Sequence, residues 1–265
     1  MNAVAVTAPQ ARPAGFARDV ATVAGRAVRQ IPREPAAVLP AVVVPAFFYA
    51  VNLGALENLA RAPGFSYKAF LLPMAIAFAV TGLSRAPSLV ADITSGYFDR
   101  LCMTPVRRSA LLLGLMAADA VAVAAMCLPV LLLGYAVGVR FVTGVPGVLA
   151  FVGLATMWGL AFTGFSYAVV LKTGSPGAVS ASYVVFFPLF FLSDAVVPKS
   201  DLTGWFSAIA TYNPVTYLLG ALRVLVSGGW QATVLAEGLA ALLGIAAVSV
   251  GLAMLALRGR TNRGA

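Results

Sequence analysis

Apolar residues in this chain gather into long runs separated by short polar passages. Six runs approach or exceed the ~20 residues that a helix needs to cross ~30 Å of hydrocarbon. They cover about 36–56, 67–90, 109–139, 147–171, 177–197 and 232–257. Pro40, Pro45, Pro73, Pro129 and Pro188 fall inside them, where neighbouring helices can re-satisfy the carbonyls that proline frees. Ahead of the first run, Phe16, Val20, Val23, Ala27 and Ile31 recur at helical spacing, with Arg18, Thr22, Arg26, Arg29 and Arg33 opposite. That stripe predicts an amphipathic helix over 15–35, lying in the headgroup plane with its basic face toward anionic lipid. Residues 1–14, rich in Ala, Pro and Thr, read as a disordered tail, and 258–265 as a short cytoplasmic one.

Between the fifth and sixth runs the pattern shortens. Over 201–228 two apolar pieces of about 10–14 residues flank Asn213–Pro214, each too short to cross. Asp201 is placed to cap the first piece, Pro214 to start the second, and Gly228–Gly229 to stop it. The segment predicts a re-entrant pair of half-helices. A continuous seventh span would put proline at its centre and carry the C-terminal arginines to the outside. The fold class is therefore an all-α integral membrane protein with six transmembrane helices, an N-terminal interfacial helix, and a re-entrant pair between the fifth and sixth spans.

Composition agrees with that class. The chain is 61% hydrophobic and 10% charged, where a soluble domain carries roughly 25% charge. The net charge of +9 is not pooled in one basic domain, so nucleic acid is not an expected partner. With the N-terminus inside, only Arg61, Lys68, Arg140, Lys199 and Arg223 of the 18 Lys and Arg residues fall outside, which places both termini in the cytoplasm. Histidine is absent, which removes the commonest general base, and no aspartates cluster at metal-ligand spacing. Two intramembrane carboxylates stand out. Asp119 sits about ten residues into the third span at a cost of ~3 kcal/mol on insertion scales, so it calls for a partner or a polar cavity. Glu237, near the outer boundary, can meet Arg223.

The most polar internal passage is Gly96–Ser109, "GYFDRLCMTPVRRS". Ile93, Tyr97 and Leu101 share one helical stripe, Asp92, Ser95 and Asp99 another, and Pro105 ends the segment. The spacing predicts a short amphipathic helix over about 91–104, fixed at both ends to spanning helices, so that a load on it passes into the membrane.

Here the sequence resembles the ABC-2 type exporter permeases, the group that includes the daunorubicin-resistance membrane subunit. Their cytoplasmic signature is matched by Gly96, Asp99, Arg100, Leu101, Pro105, Val106 and Arg108. A second signature is matched in "FFPLFFLSDAVVPKSDLTGWFSAIATYNPVTYLLGALR" by Pro188, Leu189, Phe191, Leu192, Ser193, Pro198, Trp205, Asn213, Pro214, Thr216 and Arg223. Asp194, Thr203 and Arg107 depart from the pattern; the family usually has a small residue at the first of these.

The resemblance implies that 91–104 is a coupling helix docking on a separate ATP-binding subunit through Gly96, Tyr97, Asp99, Arg100, Leu101, Pro105 and Arg108. The basic N-terminal helix would be the connecting helix beside it. Pro188, Ser193, Pro198, Trp205, Asn213, Pro214 and Arg223 would build the outer gate. No G-x-x-x-x-G-K-[ST] loop occurs, so the chain binds no cofactor itself, and ATP and Mg belong to the partner. Two ATP-binding subunits, a second permease as homodimer or heterodimer, membrane lipids and a hydrophobic substrate are the implied partners, in a bacterial cell membrane. The implied function is export of a hydrophobic drug, metabolite or lipid, with no catalytic residue in this chain. Export of a polysaccharide or glycolipid, and transport driven by an ion gradient, remain the alternative readings.

Overall fold

The computed structural model describes residues 15–31, 35–55, 66–81, 84–103 and 107–263. Every regular element among them is helical: α1 Phe16–Gln30, α2 Pro35–Ala55, α3 Tyr67–Thr81, α4 Ala86–Thr94, α5 Tyr97–Cys102, α6 Arg108–Ala136, α7 Gly144–Thr173, α8 Pro176–Phe191, α9 Gly204–Tyr212, α10 Pro214–Arg223 and α11 Ala232–Arg263. Four stretches are long and apolar enough to cross a bilayer: 67–94, which contains α3 and α4, then 109–136, 144–173 and 232–260. A fifth is added if α9 and α10 count as one bent span. Each of the six apolar runs contains helix, though 67–90 is divided between α3 and α4, and α8 ends at Phe191, short of the 197 that its run reaches.

The buried side chains form two stacked cores. One gathers α3, the second half of α6, the first half of α7, and α10, around Leu71, Ile76, Trp158, Phe190 and Leu218. The other gathers α1, α4, α5, the first half of α6, and the later parts of α7 and α11, around Leu89, Phe98, Leu111, Tyr167 and Leu257. Lipid offers no hydrophobic drive for helix association, so close crossings rest on small residues. A Cβ added to Gly164 of α7 would lie 2.6 Å from Ser249 Oγ of α11, and one on Gly238 of α11 would lie 2.5 Å from Ala221 Cβ of α10. One buried polar chain links α7 to α3: Trp158 Nε1 donates to Thr81 Oγ1 at 2.9 Å, and that hydroxyl donates to Ala77 O.

The stripe of α1 finds a protein partner, and two other expectations, on 91–104 and on Asp201, need revision. The amphipathic stripe of α1 packs on protein: Val23 and Ala27 join the second core, and a Cβ on Gly114 of α6 would lie 2.6 Å from Val23 Cβ. The close approach is possible because Gly114 has no side chain. The helix expected over 91–104 is two pieces. Gly96 adopts φ +69, a left-handed conformation that costs glycine little, and it ends α4 before α5 begins. The kink rephases the stripe, so Phe98 is buried and Tyr97 is 38% exposed. Asp201 does not cap α9. It closes a 3₁₀ turn, Lys199–Asp201, accepts from Ser200 Oγ at 3.0 Å, and leaves Thr203 at the N-cap position.

Candidate functional site

Polar side chains concentrate at the two ends of the helical body. At the first end α1, α4, α5, α6 and α7 meet. At the start of α4 the first amides have no helical partners. Ser84 Oγ accepts from Ala86 N at 3.1 Å, and Asp119 Oδ1 of α6 accepts from Arg85 N at 2.9 Å. Tyr167 of α7 donates its hydroxyl to Asp119 Oδ2 at 2.6 Å. Arg85, itself buried, donates from Nη2 to Ala27 O in the last turns of α1 at 2.7 Å, where a cation complements the helix dipole. Asp119 is completely buried, and the partner the sequence demanded is this knot of a backbone amide and a phenol.

A second tie lies at the rim of the same end. Arg26 of α1 donates from Nη1 to Tyr97 Oη at 2.6 Å, reaches Asp92 Oδ2 at 3.4 Å, and places its guanidinium 4.9 Å from the centre of the Tyr97 ring. The polar passage is thus held by α1 on one side and by the Arg85–Asp119 knot on the other. Of the residues singled out here, Gly96 forms the kink, Leu101 packs against the second core, and Arg100 is exposed. Asp99 lies in α5 and Arg108 starts α6; Pro105 falls outside the described residues.

The opposite end is built around irregular backbone at 192–198. Its carbonyls would be costly in apolar surroundings without donors. Three side chains from other elements supply them. Asn213 donates from Nδ2 to Leu189 O and Leu192 O while its Oδ1 accepts from Val215 N, capping α10. Tyr67, at the start of α3, donates to Val196 O at 3.2 Å. Arg223, at the end of α10, pairs with Asp194 Oδ2 at 2.6 Å and donates to Asp194 O at 2.8 Å and Ala195 O at 3.3 Å. Its Nε reaches Phe70 O at 3.3 Å, and its guanidinium lies 3.7 Å from the centre of the Phe70 ring. Ser193 donates to Phe190 O, and Pro198 precedes the 3₁₀ turn.

Arg223 therefore takes Asp194 as its carboxylate, and Glu237 is exposed on α11. No local cue marks the Asp194–Arg223 pair, whose members lie 29 residues apart. Its signal was the departure from pattern: an acid where a small residue is usual. Asn213 and Pro214 stand at a bend of 78° between α9 and α10. Val224–Gly228 follows as a π-helical turn, closed by Thr143 Oγ1 on Leu225 O and by Val142 N on Val226 O, and Gly229 at φ +81 ends it. Pro188 and Trp205 are exposed, Trp205 by 69%.

A family profile described as ABC-2 type transporter matches residues 18–226, which span both polar ends. The chain belongs to that family. Two curated relatives bear on this ABC-2 protein. A probable doxorubicin resistance ABC transporter permease protein of Mycobacterium tuberculosis is 28% identical over 200 residues, covering 74% of this chain and 72% of the relative. A daunorubicin resistance ABC transporter permease protein of Streptomyces coeruleorubidus is 29% identical over 165 residues, covering 61% of this chain and 58% of the relative. As an ABC-2 protein with several apolar helices of spanning length, it is a multi-pass membrane transport protein.

Proposed function

We infer that this chain is the membrane-spanning subunit of an ATP-driven exporter that moves a hydrophobic small molecule or a lipid out of a bacterial cell. Membership of the ABC-2 family over residues 18–226 carries this reading, and the drug-resistance names of the relatives support the substrate class. Six spans are taken as α2, α3 with α4, α6, α7, α8 and α11, with α9 and α10 dipping back from the outer face. Both termini are then cytoplasmic, α1 is the connecting helix at the headgroup level, and the Arg26–Tyr97 tie faces the cytoplasm. A separate ATP-binding subunit, with ATP and Mg, docks on α4 and α5, where Arg100 and the 80%-exposed Met103 are presented. Asp99, Pro105 and Arg108 belong to the same docking segment.

The physical support is the double attachment of that segment. Motion imposed on α5 reaches α1 through Arg26 and reaches α6 and α7 through Arg85, Asp119 and Tyr167. Two permease copies, with two ATP-binding subunits beneath, pair along α2 and α8, whose outward sides carry the exposed Val43, Phe47, Phe187 and Phe191. The test is co-purification with the ATP-binding subunit in lipid, followed by ATP hydrolysis with and without a hydrophobic amine drug. Asp99→Ala with Arg100→Ala is expected to abolish the stimulation or the complex. Retention of both overturns the coupling assignment. Uphill transport by the purified chain alone, driven by protons or sodium, overturns the exporter.

A further inference from the structure

Asp194 is an acid in irregular backbone, and nothing in the helical pattern around it requires a charge. Its side chain is 8% exposed and that of Arg223 is 12% exposed, so the pair faces inward where little water reaches. Through this contact one arginine joins three elements: α10, the first turns of α3 at Phe70, and the 192–198 segment. Asp194 Oδ1 is buried and has no hydrogen-bond partner among the described residues. The carboxylate is thus held mainly by its attraction to Arg223, and its place depends on that arginine. Removing the segment from Arg223 would leave two uncompensated charges in poorly hydrated surroundings. Small displacements are therefore disfavoured: the segment is docked with the pair made, or away with both groups hydrated. Two discrete arrangements are what a gate needs, and an exposed, screened pair could not impose them.

We propose that Asp194 is a positioning residue for export, whose ion pair with Arg223 holds the 192–198 segment against α3 and α10 and keeps the outer end closed at rest. This rests on the exporter reading, which puts the segment at the exit. Asn213 and Tyr67 hold the two flanks of the segment by neutral hydrogen bonds; the charged contact lies between them.

The test uses the full chain in complex with its ATP-binding subunit, with Cys102→Ser and Cys127→Ala removing the native thiols. Ser193→Cys, near-isosteric at a buried position, is the reporter, labelled from outside by a membrane-impermeant maleimide. Without nucleotide the parent labels slowly. Asp194→Asn is expected to label at least tenfold faster, and Asp194→Glu to stay within about twofold of the parent. Trapping with ATP and vanadate should speed labelling of the parent and leave Asp194→Asn unchanged. Labelling of Asp194→Asn at the parent's rate overturns the proposal, as does Asp194→Glu labelling as fast as Asp194→Asn, which would assign the effect to packing. The resting rates are read without ATP, so they stand apart from the exporter reading. A parent that ignores trapping counts against that reading, while the difference at rest still supports the closure.

Discussion

The two polar ends both centre on an arginine and an aspartate, yet they are wired differently. At the α1–α4 end, Asp119 accepts from an amide and a phenol, and Arg85 donates to a carbonyl of another helix. The charged groups mostly terminate backbone and side-chain dipoles of regular helices. At the 192–198 end, Arg223 and Asp194 bond each other directly at 2.6 Å and hold a stretch with no regular structure. The first arrangement ties helices so that they move together. The second ties a segment that can leave.

The comparison breaks most sharply at Arg223. Arg223→Ala strands Asp194 and unpairs several carbonyls, and is expected to lower stability by about 3–5 kcal/mol, read by thermal unfolding in detergent. If the loss is under about 1 kcal/mol, the Asp194–Arg223 pair is not what holds the segment. Next in size is Gly114→Val, which forces α1 away from α6 at Val23. About 2–3 kcal/mol of overpacking is expected, together with loss of substrate-stimulated ATP hydrolysis. Tyr167→Phe removes one donor from buried Asp119 and should cost about 1–2 kcal/mol. It should also weaken the coupling of ATP hydrolysis to transport, because α7 loses its link to α4. Smallest on stability is Arg26→Ala, a partly exposed tie worth less than ~1 kcal/mol. Its expected signature is a fall in substrate stimulation with unfolding unchanged, and an unaltered stimulation would confine coupling to the buried knot.

Much of the helical layout was legible because it is written locally. Runs of apolar residues, the Asn213–Pro214 break and the Gly228–Gly229 stop each act within a few residues of themselves. Gly96 was in plain view too, but the stripe through Ile93, Tyr97 and Leu101 continued across it, and only a left-handed φ separates one helix from two. Partner choice was the less legible part. Arg223 has a carboxylate within reach of sequence reasoning in Glu237, on the next span, and the structure gives it Asp194 instead. Which acid it meets depends on how the chain turns after α8, and that turn is built by contacts with α3 and α10. The cations at the 192–198 end illustrate the same point. Lys68 donates to Val137 O, Arg140 to Tyr135 O and Val139 O at the end of α6, and Arg223 to the 192–198 segment. Orientation arithmetic counts them as exceptions; structurally they cap orphan carbonyls.

The last helix runs ~48 Å, well beyond the hydrocarbon thickness. It makes two close crossings, where its Gly238 receives Ala221 of α10 and where its Ser249 fills the notch left by Gly164 of α7. Steric registry at two heights opposes its rotation about its own axis, which suits it as a reference for any movement of the shorter elements. A fluorophore fused after Arg263 would therefore supply a fixed reference, and a second dye on α5 would report the stroke as a change in distance from it.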